Sequence, residues 1–485
     1  MNYNDGSTIF ETSRPGQKGY TLPKCDVPEL SLEATLGKAN LRQHDVAWPE
    51  VSENQVVRHY IRLSTLNHHI DKAIYPLGSC TMKYNPKVNE KAVSNPGWAK
   101  LHPFQPARSA QGALELMYNL ARMLAEVSGM HEVCLQPTSG AQGEFCGIQL
   151  AKAYFKHKGE NRHKVLLPDS AHGTNPASVM MSGWTPLELK SSEQGILDPK
   201  TLEAALDDEV AMIMLTNPNT VGLFEREILR IAELAHAKGA LVYMDGANLN
   251  ALMGIVRPGD MGFDMLHINL HKTFSTPHGG GGPGGGAVGV KDFLSPYLPI
   301  PVVSRDEKQY FFDYDRPLTI GRMHSFYGNF GSMVRAYTYI LMNGAEGLRH
   351  ISETAIINAN YLLTRLRTKY KVAYDHTCQH EFVLSGDYQK KLGVKVTDIA
   401  KRMLDFGVHA PTTYFPLIVS EAMMFEPTET ESKESLDYLA EVMLKIAEEI
   451  ETNPDIVKNA PHTTPVSRLD EVGAAKELNI SYPIS

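Results

Sequence analysis

A single lysine, Lys272, stands between an apolar segment and a run of glycines, in the stretch NLHKTFSTPHGGGGPGGG over 269–286. A lysine held in a crevice is desolvated, and its neutral amine is a nucleophile toward carbonyl groups. The alternative is a surface lysine whose aliphatic stem covers apolar neighbours while its ammonium stays in water. Lys272 taken alone does not decide between these two interpretations.

A carboxylate, Asp245, ends the very apolar segment LVYMD. An acidic side chain at such a position can serve as the partner of a pyridine nitrogen, because it keeps the ring protonated and able to accept electrons from a carbanion. The alternative is a helix N-cap, a common role for Asp after a strand.

The segment PTSGAQGEF, residues 137–145, is a turn of small residues that opens a helix. Small side chains at Ser139, Gly140 and Ala141 let backbone N–H groups close on a phosphate, and the helix N-terminus favours the negative charge. An ordinary capped turn is the alternative.

A histidine, His172, lies in the polar segment DSAHGTNPAS, after the strand-like KVLLP. Its flat ring is suited to stacking on a flat cofactor ring. The alternative is a loop histidine that faces solvent.

Short apolar segments alternate with amphipathic helical segments between these residues, which predicts a mainly parallel sheet with helices on both faces. We predict strands at EVCLQP, KVLLPD, VAMIMLT, ALVYMDG, DMLHINL and GAVGV. Ligands bind beyond the carboxyl ends of such strands. The turn, the histidine, the aspartate and the lysine each follow a predicted strand, in the chain order of the cofactor site of aminotransferase-like enzymes. The fold prediction is therefore α/β, aminotransferase-like fold type I, with pyridoxal 5′-phosphate as cofactor.

Three regions are predicted along the 485 residues, which are too many for one ordinary core. Residues 1–75 are polar and proline-rich and indicate an N-terminal arm. Residues 76–345 would form the large cofactor-binding domain. Residues 346–485 would form a smaller C-terminal α+β domain with a tail.

The glycine run contains a formal G-x-G-x-x-G at Gly280, Gly282 and Gly285. No predicted strand immediately precedes it and no helix follows, which disfavours a dinucleotide site. The run is better interpreted as a loop approached closely by other groups beside Lys272; a plain flexible linker is the alternative. The five cysteines are scattered and contain no C-x-x-C pair, so we expect no structural metal site.

The composition of the chain argues against some classes of binding partner. The net charge of −8 opposes non-specific binding to nucleic acid or to an anionic membrane surface. The first residues lack a basic start followed by an apolar run, so no secretory signal is expected. Scattered cysteines in an odd number indicate a reducing compartment, and we predict a cytoplasmic protein.

The chain resembles the glycine cleavage system P-protein family, the decarboxylating glycine dehydrogenases, over roughly residues 20–480. Beside the lysine stretch, the matching segments are YPLGSCTMKYNP (75–86), LHPFQP (101–106), QPTSGAQGE (136–144), AHGTNPAS (171–178), MDGANLNA (244–251) and GNFG (328–331). The chain resembles the lysine-bearing half of the longer family members, which corresponds to subunit 2 of the split form.

The resemblance implies a reaction of glycine catabolism, catalysed by an oxidoreductase. Lys272 would hold pyridoxal phosphate as an internal aldimine, which glycine displaces. Carbon dioxide then leaves while Asp245 helps the ring to absorb the electrons. The resulting carbanion equivalent attacks the lipoyl disulfide of the H-protein, and the aminomethyl group stays on the carrier. The glycine run would line or gate the channel through which the lipoyl arm enters.

The resemblance also suggests roles for further residues. His271 would move a proton or position the cofactor phosphate, and Asn248 would lie with the cofactor. Arg322 would hold the glycine carboxylate, and Asn329 would lie near the substrate. Cys80 would also lie near the substrate, unless it is a buried structural thiol.

A partner is implied as well: subunit 1, in a heterotetramer with two copies of each subunit. Two other functions remain open from the sequence. One is a different pyridoxal phosphate reaction, such as amino-group transfer or cysteine desulfuration; the second would need a cysteine on a mobile loop. The other is a non-catalytic structural subunit, which the intact lysine motif opposes.

Overall fold

The computed structural model describes residues 7–278 and 284–481. The chain divides into two compact units, Met1–Lys72 with Ala460–Ser485, and Ala73–Asn459. The first unit contains helices α1 (Leu32–Leu36) and α2 (Glu53–Leu66) and a terminal helix, Glu471–Lys476. Most of its residues from 17 to 50 are exposed and irregular, as expected for polar, proline-rich sequence.

The second unit is built on a seven-stranded sheet with the order β1-β7-β6-β5-β4-β2-β3. The strands are β1 (Glu132–Cys134), β2 (Lys164–Pro168), β3 (Thr185–Leu189), β4 (Val210–Thr216), β5 (Leu241–Gly246), β6 (Met265–Asn269) and β7 (Gly286–Val290). Strands β2 to β6 pair in parallel, whereas β7 is antiparallel to both β6 and β1. The prediction of a mainly parallel sheet is therefore confirmed.

The central strands are buried along their whole length, because helices cover both faces of a parallel sheet. Among the described residues from 73 to 329, the α-helices are α3 (Lys87–Val93), α4 (Pro96–Ala99), α5 (Gln111–Ser128), α6 (Gly140–Lys158), α7 (Thr174–Met181), α8 (Pro199–Ala205), α9 (Ile228–Ala237) and α10 (Leu270–Thr273). The sheet therefore separates two apolar clusters, one containing Val242 and Met244 and the other Tyr243.

Two strand regions escaped the sequence analysis. Strand β3, TPLEL, lies at the sheet edge and is largely exposed, so it lacks the apolar run of its neighbours. The hairpin of β8 (Val302–Arg305) and β9 (Tyr310–Asp313) forms a separate two-stranded sheet. Both strands of the hairpin are only partly buried, and they lie outside the seven-stranded sheet.

A second sheet lies further along the chain, with the order β10-β11-β13-β12 and only antiparallel pairs. Its strands are β10 (Lys371–Val372), β11 (Phe382–Ser385), β12 (Thr412–Thr413) and β13 (Ala422–Phe425). The accompanying helices are α12 (Asp387–Lys391), α13 (Val396–Asp405), α14 (Lys433–Thr452) and α15 (Pro454–Lys458).

One long helix, α11 (Phe330–Leu366), leads from the first sheet toward the second. Gly344 interrupts its regular geometry with φ 62° and ψ −174°. Only glycine adopts such a conformation readily, so the two helical halves meet at this residue.

Across 7–278 and 284–481, no helix is long and apolar enough to cross a membrane. The domain limits predicted at 75 and 345 stay predictions.

Candidate functional site

Asp245 lies at the carboxyl end of β5 and is buried. One of its oxygens accepts a hydrogen bond from Asn175 Nδ2 at 3.0 Å, and the other accepts from the Ala247 N–H at 2.9 Å. His267 Nε2, on the neighbouring strand β6, lies 3.2 Å from the carboxylate. Asp245 does not cap a helix, so the alternative considered from the sequence is wrong.

These neighbours decide the charge of Asp245. Burial alone would raise the pKa of its carboxyl, but His267 and the hydrogen bonds from Asn175 and Ala247, together with the charge of Lys272, hold that pKa below its usual range. The side chain is therefore a carboxylate at neutral pH.

Lys272 lies in the short helix α10, directly after β6. Its Nζ donates a hydrogen bond to the Ser79 carbonyl oxygen at 2.6 Å. The side chain is half-buried and its charge acts on Asp245, so it belongs to the same crevice rather than to the outer surface.

The predicted phosphate turn opens helix α6. Ser139 is its N-cap, and Ser139 Oγ accepts a hydrogen bond from the Gln142 N–H at 3.1 Å. Gly140 and Ala141 occupy the first two helical positions, whose N–H groups have no partner inside the helix. A Cβ on Gly140 would lie 2.8 Å from Asn269 Oδ1, at the end of β6. The turn is therefore packed against the strand that leads to Lys272.

His172 lies in the loop between β2 and α7, and it is not a solvent-facing side chain. Its ring is 5.5 Å from the Phe415 ring, and Nδ1 lies 2.8 Å from Thr174 Oγ1. Burial lowers the pKa of His172 from its usual value, and Asp245 and Lys272 both act on it. The ring is consequently neutral and close to the Asp245–Lys272 crevice.

His271 and His278 flank Lys272, with their rings 5.1 Å apart and nearly perpendicular. His271 Nδ1 accepts a hydrogen bond from the Gly285 N–H at 3.2 Å. Burial, reinforced by His278 and Lys272, lowers the pKa of His271 to about 3. Burial and Lys272 lower the pKa of His278 to about 4. Both rings are therefore neutral in the crevice.

Cys80 lies beside Lys272, in the segment that provides the Ser79 carbonyl. Burial raises the pKa of its thiol, while the charge of Lys272 acts in the opposite direction. Cys80 is part of the crevice wall, and not a thiol in an apolar core.

The remaining predicted residues are placed differently. Asn248 is buried, and its Nδ2 donates hydrogen bonds to Pro218 O at 2.9 Å and to Glu381 Oε1 at 3.0 Å. Both Nδ2 bonds of Asn248 are therefore made to other parts of the protein. Asn329 is the N-cap residue of α11. Arg322 is exposed, with its guanidinium 5.6 Å from the Tyr314 ring, and it shares no hydrogen bond with the Lys272 group described above.

The structure describes only part of the glycine run. Gly280 and Gly282 lie outside the described residues, as does most of the proposed channel loop. Gly285 and Gly286 are described, and a Cβ on Gly286 would lie 1.9 Å from the Ser139 carbonyl oxygen. Glycine is required there because the backbone of β7 passes directly against the phosphate turn.

Several buried charged residues beside Lys272 were missed by the sequence analysis. Two groups of His and carboxylate side chains have their polar atoms within 4.8 Å of one another: Glu144 with Asp245 and His267, and His380 with Glu381 and Glu426. Glu144 accepts hydrogen bonds from Thr174 and Ser178, near His172. A polar residue inside an otherwise apolar strand pattern, such as His267 in MLHIN, was the available signal.

The chain matches two family models. The model described as glycine cleavage system P-protein matches residues 29–309, and that described as glycine dehydrogenase, C-terminal domain, matches residues 351–463. A protein of Chloroherpeton thalassium named probable glycine dehydrogenase (decarboxylating) subunit 2 is 59% identical over 98% of this chain and 97% of its own length. A protein of the same name from Caldanaerobacter subterraneus is 57% identical, with 98% of each chain covered.

Solved structures give the same fold. An inhibitor-bound glycine decarboxylase (P-protein) of the glycine cleavage system superposes with a TM-score of 0.71 at 22% identity, covering 85% of this chain and 94% of that one. A cysteine desulfurase from Thermococcus onnurineus superposes with a TM-score of 0.62 at 14% identity, over 78% of this chain and 95% of that one. The predicted aminotransferase-like fold type I is thereby confirmed. On the evidence of sequence, fold and crevice, the chain belongs to the glycine cleavage system P-protein family.

Proposed function

We propose that this chain is the pyridoxal phosphate-dependent subunit that decarboxylates glycine and transfers its aminomethyl group to the lipoyl disulfide of the H-protein. The observation that carries the proposal is the pairing of Asp245, a buried carboxylate, with Lys272 at the carboxyl ends of adjacent strands. The names of the relatives support the same reaction and a subunit 1 partner. The two-plus-two stoichiometry and the cytoplasmic location remain part of the proposal.

The residues of the crevice fit the cofactor. Gly140 and Ala141 offer N–H groups at a helix N-terminus to a phosphate. Asp245 offers a carboxylate to a pyridine nitrogen, and Lys272 offers an amine to an aldehyde. Asn175 Oδ1 is buried with no protein hydrogen-bond partner beside Asp245, which suits a site that a polar ligand completes.

Each side chain then has a physical task. When bound, the cofactor would supply an electron sink for the decarboxylation. Asp245 would hold the proton on the ring nitrogen, since its buried side chain is a carboxylate at neutral pH. His172 would stack on the ring, which its neutral state favours. His271 is neutral and close to Lys272, so it is the proposed proton carrier or phosphate contact.

Three further residues are proposed to contact the substrate. Cys80 lies beside the Lys272 amine and is a reasonable neighbour for glycine. Arg322 and Asn329 would have to reach the substrate from the loop before α11. An exposed arginine suits the carboxylate of glycine, because a weakly held carboxylate leaves more readily than one fixed in the ground state.

Borohydride reduction tests the cofactor site. Reduction of the pyridoxal phosphate-loaded protein should fix the cofactor on Lys272, as located by peptide mapping. Lys272→Ala should abolish this label, whereas Lys291→Ala should retain it. Lys291 is the matched control, because it also follows a strand and donates to a backbone carbonyl, Gly129 O at 3.0 Å, but β7 ends at the opposite edge of the sheet. Label on another lysine would contradict the proposed site.

Carbon exchange tests the reaction. Labelled bicarbonate is supplied with glycine and lipoylated H-protein, and label in the glycine carboxyl group is counted. We expect exchange when subunit 1 is added and none with Lys272→Ala. Transfer of the amino group to a 2-oxo acid without exchange would replace the proposal with an amino-transfer reaction. Exchange by the chain alone would remove the need for the partner.

A further inference from the structure

Two fully buried carboxyl groups, Glu381 and Glu426, lie behind the segment that contacts Lys272. Glu381 directly precedes β11, and Glu426 directly follows β13. Each approaches His380 Nε2, at 3.9 Å for Glu381 Oε1 and 3.8 Å for Glu426 Oε1. One carboxyl oxygen of each glutamate and one ring nitrogen of His380 all lie within 4.8 Å of one another. Two negative charges at such a separation repel strongly when water is excluded.

Both carboxyl groups hold the turn that contains Cys80. Glu381 Oε2 accepts a hydrogen bond from the Ser79 N–H at 2.7 Å. Glu426 accepts from the Thr81 N–H at 2.8 Å and from Thr81 Oγ1 at 2.6 Å. On the other side of the turn, the Ser79 carbonyl accepts from Lys272 Nζ. The turn therefore connects the buried pair directly to the lysine.

The turn has a backbone conformation that needs such support. Ser79 and Thr81 both have positive φ values, 60° and 49°, which L-residues adopt at a cost. Gly78 N donates to Met424 O at 3.2 Å, and a Cβ on Gly78 would lie 2.7 Å from that same oxygen. The geometry of residues 78–81 is therefore fixed by the second sheet and its two carboxyl groups.

The surrounding charges favour one negative charge on the pair, and not two. The cations that act on the two carboxyl groups are Lys272 and Lys83. Lys83 is already paired with Glu429, at 2.7 Å. Burial lowers the pKa of His380 to about 3, so His380 adds no positive charge. Lys272 is thus the cation that is left to balance the negative charge of Glu381 and Glu426.

We propose that Glu381 and Glu426 share one proton and present a single negative charge to Lys272 through the Ser79–Thr81 turn. Both are then positioning residues for the lysine amine. The inference rests on the proposed role of Lys272 in cofactor binding. In agreement, burial and the Glu426 charge raise the pKa of Glu381 well above its usual range, and burial also raises that of Glu426.

Cys80 and Lys272 can be used to measure the charge of the Glu381–Glu426 pair. Other titratable groups also interact electrostatically with these two side chains. Those acting on Cys80 are Lys272, Glu426 and Glu381. The groups on which the charge of Lys272 acts are Cys80, His172, Asp245, His271, His278, His380, Glu381 and Glu426. Apart from Glu381 and Glu426 themselves, none of these groups is substituted in the glutamine variants.

The test compares Glu381→Gln, Glu426→Gln and the double variant in the full chain. Glutamine keeps one oxygen for the Ser79 or Thr81 N–H group, so both backbone donors of the turn keep an acceptor, while the Thr81 hydroxyl can accept from the new amide. If one proton is shared, each single variant still carries one negative charge, because the remaining glutamate ionises. Only the double variant loses it. The effects of the two substitutions should therefore be strongly non-additive.

The first measurement is the alkylation rate of Cys80 in the cofactor-free chain, followed by peptide mapping across a pH range. A nearby negative charge disfavours the thiolate, so the double variant should react about tenfold faster at a given pH, and the single variants within about twofold of the wild type. Single effects that add up would show two independent charges. No effect of the double variant would show an uncharged pair. Either result overturns the proposal.

The second measurement is the pH titration of visible absorption in the cofactor-loaded protein. Loss of the negative charge should move this titration to lower pH by roughly one unit in the double variant and little in the single variants. Glu225→Gln is the matched control, because Glu225 is also buried and accepts from one backbone N–H, of Leu197, and one asparagine, Asn219. If borohydride fails to label Lys272, the proposed function fails, but the Cys80 measurement still decides the charge of the pair.

An infrared comparison covers the case in which the double variant does not fold. At neutral pH, either single variant should lack one protonated-carboxyl band that the wild type shows. An unchanged band in both single variants would overturn the shared proton.

Discussion

At the scale of single residues, two buried aspartates beside the same sheet can be compared, one inside the crevice and one outside it. Asp245 and Asp264 each lie beside a histidine and accept a backbone N–H. Asp245 lies at the carboxyl end of β5, whereas Asp264 directly precedes β6 and accepts from Val242 at the start of β5. Similar local chemistry therefore occurs at opposite edges of one sheet. Only the edge with Lys272 is expected to support the reaction.

Asp245→Asn should lower the rate of glycine carboxyl exchange by about 10²–10³-fold, because an amide cannot hold the proton on the ring nitrogen as a carboxylate does. The measurement is the exchange rate at saturating glycine in the complete system. Asp264→Asn, the control, should reduce thermal stability but leave the exchange rate per folded molecule within about threefold of the wild type. Equal losses of rate in both variants would contradict the role of Asp245.

At the scale of elements, the site depends on how closely β7 approaches the start of α6. Gly143 and Gly286 both lie at this junction, where an added Cβ on Gly143 would be 2.7 Å from His267 Cβ. Such contacts with backbone and packed side chains cannot be relieved by a flexible side chain moving away. The glycines of both elements thus permit the phosphate turn and the Lys272 segment to share one edge.

Gly286→Ala should separate β7 from the phosphate turn, weaken cofactor binding at least tenfold and cost about 1–3 kcal/mol of stability. Cofactor titration by absorption and thermal unfolding measure the two effects. Gly112→Ala is the control, because its Cβ would meet only ordinary contacts at 4.0 Å with Trp98 and it lies in the first turn of α5. Unchanged affinity in Gly286→Ala would show that the turn does not contact the cofactor.

At the scale of the whole molecule, several neutral histidines make the fold sensitive to acid. Burial keeps the pKa of His271 at about 3 and that of His278 at about 4, against about 6.5 for an unfolded histidine. The unfolded chain therefore binds more protons between these values, and stability falls as the pH drops from about 6.5 toward 4. The raised pKa of Glu381 acts in the opposite direction, since there the folded state binds the extra proton.

The double variant His271→Asn with His278→Asn should lose less stability than the wild type between pH 7 and pH 5, by roughly 1–2 kcal/mol per histidine. Calorimetric unfolding at both pH values measures this difference, and the contribution of the carboxyl groups cancels in the comparison. His131→Gln, at an exposed histidine, should follow the wild-type curve. Parallel curves for all three proteins would show that His271 and His278 are protonated in the fold.

The sequence by itself determined the order of the strands along the chain and the residues that end them. Asp245 and Lys272 were accessible from the sequence because each follows an apolar strand of a predicted parallel sheet, and the carboxyl ends of such strands meet at one edge. Edge strand β3 and the short strands of the second sheet could not be predicted from the sequence, because exposed or two-residue strands lack an apolar periodicity.

Only the tertiary structure decided what lies behind Lys272. Ser79 and Glu381 are 302 residues apart in the chain, and Thr81 and Glu426 are 345 apart, so no local pattern connects them. Their burial depends on the second sheet closing over the 78–81 turn, and burial is what changes the charge of a carboxyl group. Local periodicity specifies which residues end a strand, whereas the protonation of distant side chains is set by the contacts that the completed fold creates.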